Sequence, residues 1–80
     1  MSIKVFVRED CPRCPAAKKA VEGLSGVEMF DVDGIDGLAE AHFYNVLSTP
    51  SVIVVDANGH EIAGWRGEAP ERARIRMYTE

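Results

Sequence analysis

The chain predicts an α/β domain built on one mixed four-stranded sheet, with helices on both faces. Three observations carry that expectation. Apolar runs rich in β-branched residues alternate with runs whose apolar residues recur at helical spacing, in the order β-α-β-α-β-β-α. The first β-α-β calls for a parallel strand pair with a right-handed crossover. An Asn58-Gly59 turn between the last two strands makes those two an antiparallel hairpin. With eighty residues, 46% of them apolar, residues 1–80 form a single domain.

Each element follows from its residues. Ile3 to Arg8 is β-branched and aromatic and reads as a strand, and Glu9-Asp10 is its polar exit. A helix is expected to begin near Cys11, with Pro12 in the first turn, where a missing N–H does no harm. Ala17, Ala20, Val21 and Leu24 give that helix its apolar stripe, and Gly23 and Gly26 bracket its end. Val27 to Val32 is the second strand. Leu38 to Leu47 is the second helix, capped by Asp36, with Phe43, Tyr44, Val46 and Leu47 as core and flank. Ser51 to Asp56 is nearly all apolar, as a strand buried on both faces should be. Asp56-Ala57-Asn58-Gly59 turns the chain with positive-φ residues at Asn-Gly, and His60 to Arg66 returns. Gly64 inside that strand suggests a bulge or a close backbone approach. Pro70 opens a short charged last helix.

Composition removes several function classes. The net charge is −4 and no basic run exists to neutralise phosphates, which argues against nucleic acid as a partner. No segment approaches the ~18 apolar residues a membrane span needs. No basic stretch followed by an apolar stretch and a small-residue cleavage site is visible at the N-terminus, so the expected location is the cytoplasm. Persistent structural disulfides are uncommon there.

The chemistry concentrates in Cys11-Pro12-Arg13-Cys14, which holds the only two cysteines. This motif admits a structural staple, half a zinc site or a redox couple. A disulfide closing so short a loop removes little unfolded-state entropy, about 2 kcal/mol, which makes a poor staple. His42 and His60 could complete a zinc site, but they stand far apart with no paired-ligand spacing. A dithiol at the first turn of a helix, able to close into a disulfide and open again, fits best.

With CPRC at the strand-to-helix junction, the whole chain resembles the thioredoxin/glutaredoxin superfamily, as a small glutaredoxin-like thioredoxin. Pro12 and the short N-terminal segment look like glutaredoxin. Thr49-Pro50, just before the buried strand, matches the family's cis-proline. The resemblance implies that Pro50 packs beside the cysteine pair and that Thr49 offers backbone groups to a bound substrate. Gly59 to Gly67 is similar to the thioredoxin stretch in which a second glycine, here Gly67, lets a substrate backbone approach. Trp65, Gly67 and Pro70 match a W-x-G-x-x-P pattern of small redoxins that serve ribonucleotide reductase. The glycine pair by which glutaredoxins hold glutathione is replaced by Gly64-Trp65-Arg66-Gly67-Glu68. Thioredoxins also bury a carboxylate in the strand leading to the site. Ile3 to Val7 offers none, which leaves Glu9 or Asp10, acting through water, as the proton carrier.

The expected function is therefore reduction of protein disulfides. Cys11, at the helix mouth, is the nucleophile, because free N–H groups and partial positive charge there favour a thiolate. Cys14 is the resolving thiol. Pro12 and Arg13 tune the couple, and Thr49, Pro50, Trp65 and Gly67 line the substrate groove, with Trp65 either as its wall or packed into the core. No cofactor or metal is expected beyond the reversible Cys11–Cys14 disulfide. The implied partners are protein disulfides and an upstream reductase of the thioredoxin reductase kind, for a monomer. The alternatives are a glutathione-dependent glutaredoxin and a non-catalytic binding or metal-carrier module on the same fold.

Overall fold

The structure, a computed structural model, describes residues 1–79. Its elements are β1 (Ser2–Val7), α1 (Cys14–Ala20), β2 (Val27–Asp31), α2 (Ile35–Phe43), β3 (Ser51–Val55), β4 (Glu61–Arg66) and α3 (Arg72–Thr79). They build one four-stranded sheet in the order β2-β1-β3-β4. β1 runs parallel to β2 and antiparallel to β3, and β4 runs antiparallel to β3. This is the mixed sheet and three-helix α/β arrangement that the order of elements predicts. Among the described residues no helix is long and apolar enough to cross a membrane.

The strand period of two decides what lies on each face. From β1 and β3, Ile3, Val5, Val7, Val52 and Val54 point to one side and pack with Ala17 and Val21 of the α1 segment and Ile75 of α3. Phe6, Ile53 and Val55 point to the other and pack with Ala41 of α2 and with Val46. Lys4 shares the α2 side, 3.0 Å from Glu40 and 3.5 Å from Glu28. Burial lowers its pKa, but the two carboxylates outweigh that effect and the net shift is upward.

The structure corrects several boundaries. α1 begins at Cys14, later than expected, and Pro15 rather than Pro12 occupies its first turn. A turn comes first, with the Cys14 N–H directed at the Cys11 carbonyl oxygen, and the helix starts only after it. α2 begins at Ile35, and Gly34, not Asp36, takes the N-cap position. A Cβ on Gly37 would lie 1.9 Å from the Asp31 carbonyl oxygen, so glycine there lets α2 seat directly on the end of β2. The helix stops at Phe43 because Asn45 turns left-handed, with φ +56°, while the Val46 N–H reaches back to the Ala41 carbonyl. Val46 is consequently buried, but Phe43 and Leu47 face solvent rather than the core.

In the β3–β4 turn only Gly59 has positive φ, at +82°, and Asn58 does not. The Asp56 carboxylate accepts the backbone N–H groups of Asn58 and His60. The register irregularity in β4 falls between the residues facing Val54 and Val55, so Gly64 itself pairs regularly with Ile53. Gly64 instead makes room for the Glu61–Arg66 ion pair, since a Cβ there would sit 2.5 Å from Glu61 Oε2. Hydrogen bonding to Glu61 raises the pKa of Arg66.

Candidate active site

Both cysteines lie where β1 hands over to α1. Cys11 sits in the connecting turn and Cys14 is the first residue of the helix. The Cys14 N–H points to the Cys11 carbonyl oxygen at 3.4 Å. The two are joined as a disulfide, with Cα atoms 5.3 Å apart. Their surroundings differ. Cys14 is 2% exposed within the core beside α1, whereas Cys11 is only partly buried at that core's edge. Cys11 is thus the sulfur that an incoming group meets first. It precedes the helix by one turn, so the helix mouth belongs to Cys14 more closely than expected.

The other expected residues reach the same end of the sheet through register. Ser51 pairs with Phe6 on one side and Arg66 on the other. Pro50 and Gly67 therefore extend past the edge at which β1 ends and the cysteine loop begins. The Thr49–Pro50 bond is cis, with Pro50 buried and Thr49 partly exposed. Gly67 has φ +76°, and a Cβ on it would lie 2.8 Å from Ser48 Oγ, so only glycine fits there without displacement.

A hydrogen-bonded chain ties these pieces together. Arg13 Nη2 donates to the Gly67 carbonyl oxygen at 3.1 Å. The Gly67 N–H donates to Ser51 Oγ at 3.2 Å, and the Ser51 hydroxyl donates to the Ser48 carbonyl at 2.8 Å. Ser51 is fully buried. Sequence reasoning missed it, although a serine opening a strand of valines and isoleucines was a visible signal, since a buried hydroxyl requires partners.

Trp65 does not form a groove wall. It is 7% exposed, belongs to the core between the sheet and α3, and is closed over by Tyr78 edge-on at 5.8 Å and by the Arg74 guanidinium. The period of two explains this: Trp65 pairs with Val52, whose side chain faces the same core. Two depressions flank the site. One, of about 320 Å³, opens beside the disulfide and is lined by Val7, Arg8, Glu9, Cys11, Cys14, Pro15, Lys18 and Asp31. Glu9 lines it and Asp10 does not. The other, of about 280 Å³, adjoins Thr49, between α2 and the segment from Asn45 to Ser48. His42 lines that second depression and His60 sits in the turn beside Asp56. Among the described residues no three His, Cys, Asp or Glu side chains gather closely enough to hold a metal ion.

Residues 1–80 match the family model described as the thioredoxin domain. The chain belongs to the thioredoxin family. Solved thioredoxin structures share its fold. Thioredoxin 1 from Thermosipho africanus superposes with a TM-score of 0.69 at 22% identity, covering 99% of this chain and 94% of the other. A thioredoxin from Thermus thermophilus gives 0.67 at 24%, covering 95% and 68%. The oxidised C-terminal domain of DsbD from Neisseria meningitidis gives 0.66 at 20%, covering 98% and 77%. No curated protein matches the chain in sequence. A thioredoxin-family fold carrying a vicinal cysteine pair at its strand-to-helix junction supports thiol–disulfide oxidoreductase chemistry.

Proposed function

We propose that this thioredoxin-family chain reduces disulfides in proteins through the Cys11/Cys14 couple. The observation that carries the reading is the unequal exposure of two bonded sulfurs, one reachable and one enclosed. The Cys11 thiolate attacks one sulfur of the substrate disulfide, forming a mixed disulfide and expelling the other sulfur as a thiolate, which takes a proton from solvent. Cys14 loses its proton and attacks Cys11 Sγ. The mixed disulfide breaks, the second substrate sulfur leaves reduced, and Cys11–Cys14 closes. Two electrons pass from the dithiol to the substrate. An upstream reductase of the thioredoxin reductase kind reopens the pair. The setting of this cycle is the cytoplasm.

Thr49, Pro50 and Gly67 form the groove in which the substrate backbone lies, with Arg13 at its rim. Ribonucleotide reductase is the narrower recipient we propose to test. The pattern that suggests it has a structural role here, because Trp65 and Pro70 are buried and Gly67 turns the chain.

Trapping on a non-reducing gel tests the reading. Cys14→Ser should accumulate a mixed disulfide with a protein substrate and Cys11→Ser should not. Accumulation by the Cys11 variant alone would reverse the roles. Insulin reduction driven by dithiothreitol tests turnover, and its absence would leave a binding module. Comparing thioredoxin reductase with glutathione and its reductase as electron donors identifies the upstream partner.

A further inference from the structure

The depression of about 280 Å³ that adjoins Thr49 has no part in the exchange of sulfurs. Its floor is apolar and closed, because Val32, Ala41 and Val46 are buried beneath it. Its walls are apolar and open. Leu38 of α2 is 60% exposed and Leu47 is 96% exposed. Large apolar side chains left in water around a concave surface mark a binding site. Leu47 is also held in place. On one side of it the Val46 N–H donates to the Ala41 carbonyl at 2.8 Å, and on the other the Ser48 carbonyl accepts the Ser51 hydroxyl at 2.8 Å. A side chain presented from a fixed backbone loses little freedom on binding.

Two observations indicate the occupant. The first is continuity. Arg8 lines both this depression and the one that holds Cys11 and Cys14, and Thr49 lines it next to Pro50. The two depressions share a wall, so a substrate chain laid over Cys11 meets the second one a few residues from its own reacting cysteine. The second observation is charge. The protein carries −4 overall, yet the titratable side chains lining this depression are Arg8 and His42, and no carboxylate lines it. Arg8 pairs with Asp33 at 3.7 Å, with both side chains more than half exposed. Exposed pairs of this kind are weak, so a carboxylate from a partner can replace Asp33.

We propose that this depression is a specificity subsite. It takes a large aliphatic or aromatic side chain of the substrate protein, close in sequence to the reacting cysteine, while an acidic neighbour of that side chain pairs with Arg8. The preferred substrates are therefore disulfides set in apolar, acidic segments. Leu38 and Leu47 hold the apolar side chain and Arg8 holds the carboxylate. The inference rests on the dithiol cycle proposed above and adds no chemical step to it.

Peptide disulfides test the subsite. Short glycine-rich peptides are linked to a fluorophore through one disulfide, and a leucine is moved through the positions flanking the cysteine, with glutamate or lysine beside it. At its best position leucine should raise kcat/KM ~10-fold over alanine. Glutamate should exceed lysine ~3-fold, an advantage that fades at high salt. Leu38→Ser and Leu47→Ser should each flatten the leucine preference, and Arg8→Glu should reverse the order of glutamate and lysine. Met77→Ser, which removes an exposed apolar side chain from α3, should leave both preferences intact. A wild-type protein indifferent to leucine at every position overturns the subsite, and this comparison needs no variant to fold. A preference that survives both leucine variants, or that Met77→Ser also abolishes, overturns it too. A wild-type dimer in sedimentation that Leu47→Ser dissociates assigns the patch to a second copy of this chain and overturns it as well. Failure of the wild-type protein to reduce any peptide of the series or insulin overturns the dithiol cycle itself, and so is distinguishable from failure of the subsite alone.

Discussion

The guanidinium of Arg13 donates to the carbonyl oxygen of Gly67, joining one of the two residues between the cysteines to the loop after β4 across 54 positions of sequence. The contact is exposed, so its share of stability is small, under about 1 kcal/mol. Its consequence is expected in the proposed substrate groove. Arg13→Ala should fold with a nearly unchanged melting temperature and raise KM for a protein disulfide several-fold, with little effect on a small aromatic disulfide. Equal kinetics toward insulin before and after the change would remove Arg13 from the groove.

Ser51 carries more weight. Ser51→Ala leaves the Gly67 N–H without its acceptor and the Ser48 carbonyl without its donor, both next to the cis-proline loop. These groups are only part-buried, so leaving them unpaired should cost about 1 kcal/mol, the low end of the ~1–3 kcal/mol range for buried groups. Urea unfolding measures it. A variant as stable as the parent would mean that water satisfies both groups.

Gly37 is the tightest contact between α2 and the sheet. Gly37→Ala places a methyl group against the Asp31 backbone, which cannot swing aside as a side chain could. The expected loss is at or above the upper end of ~1–3 kcal/mol for overpacking, with displaced amide resonances from Asp31 through Ala41. An unperturbed spectrum would show that α2 has slack there.

The Asp56 carboxyl is held below the usual carboxylate range, chiefly by the His60 N–H it accepts and then by the Asn58 N–H. A carboxylate whose folded pKa is depressed adds stability that is present above the unfolded value and lost as pH falls through the folded one. The β3–β4 turn should therefore loosen in acid, below the ordinary aspartate value of ~3.9. Asp56→Asn should lack that part of the acid dependence, as seen by comparing unfolding midpoints of the two proteins between neutral and strongly acidic pH. Parallel curves would exclude the charge of Asp56 as the cause.

Much of this was legible in the chain. Val52 to Val55 declared a two-sided buried strand, the 17/21 stripe declared the inner face of α1, and Cys11 and Cys14 declared their chemistry by spacing. The less legible parts share one trait. The start of α2 depends on a glycine fitting beneath another element's carbonyl, and the burial of Trp65 depends on which face of β4 looks at α3. Neither is encoded in its own neighbourhood.

Element order, the two-sided burial of β3 and the redox pair are readable from the chain alone, because periodicity and short spacings are local. That Arg13 meets Gly67, that Ser51 links the loop before β3 to the loop after β4, and that Asp31 lines the same depression as Cys14 comes only from the folded arrangement. These neighbours are set by strand register and helix seating, which juxtapose residues far apart in the chain once the sheet has formed.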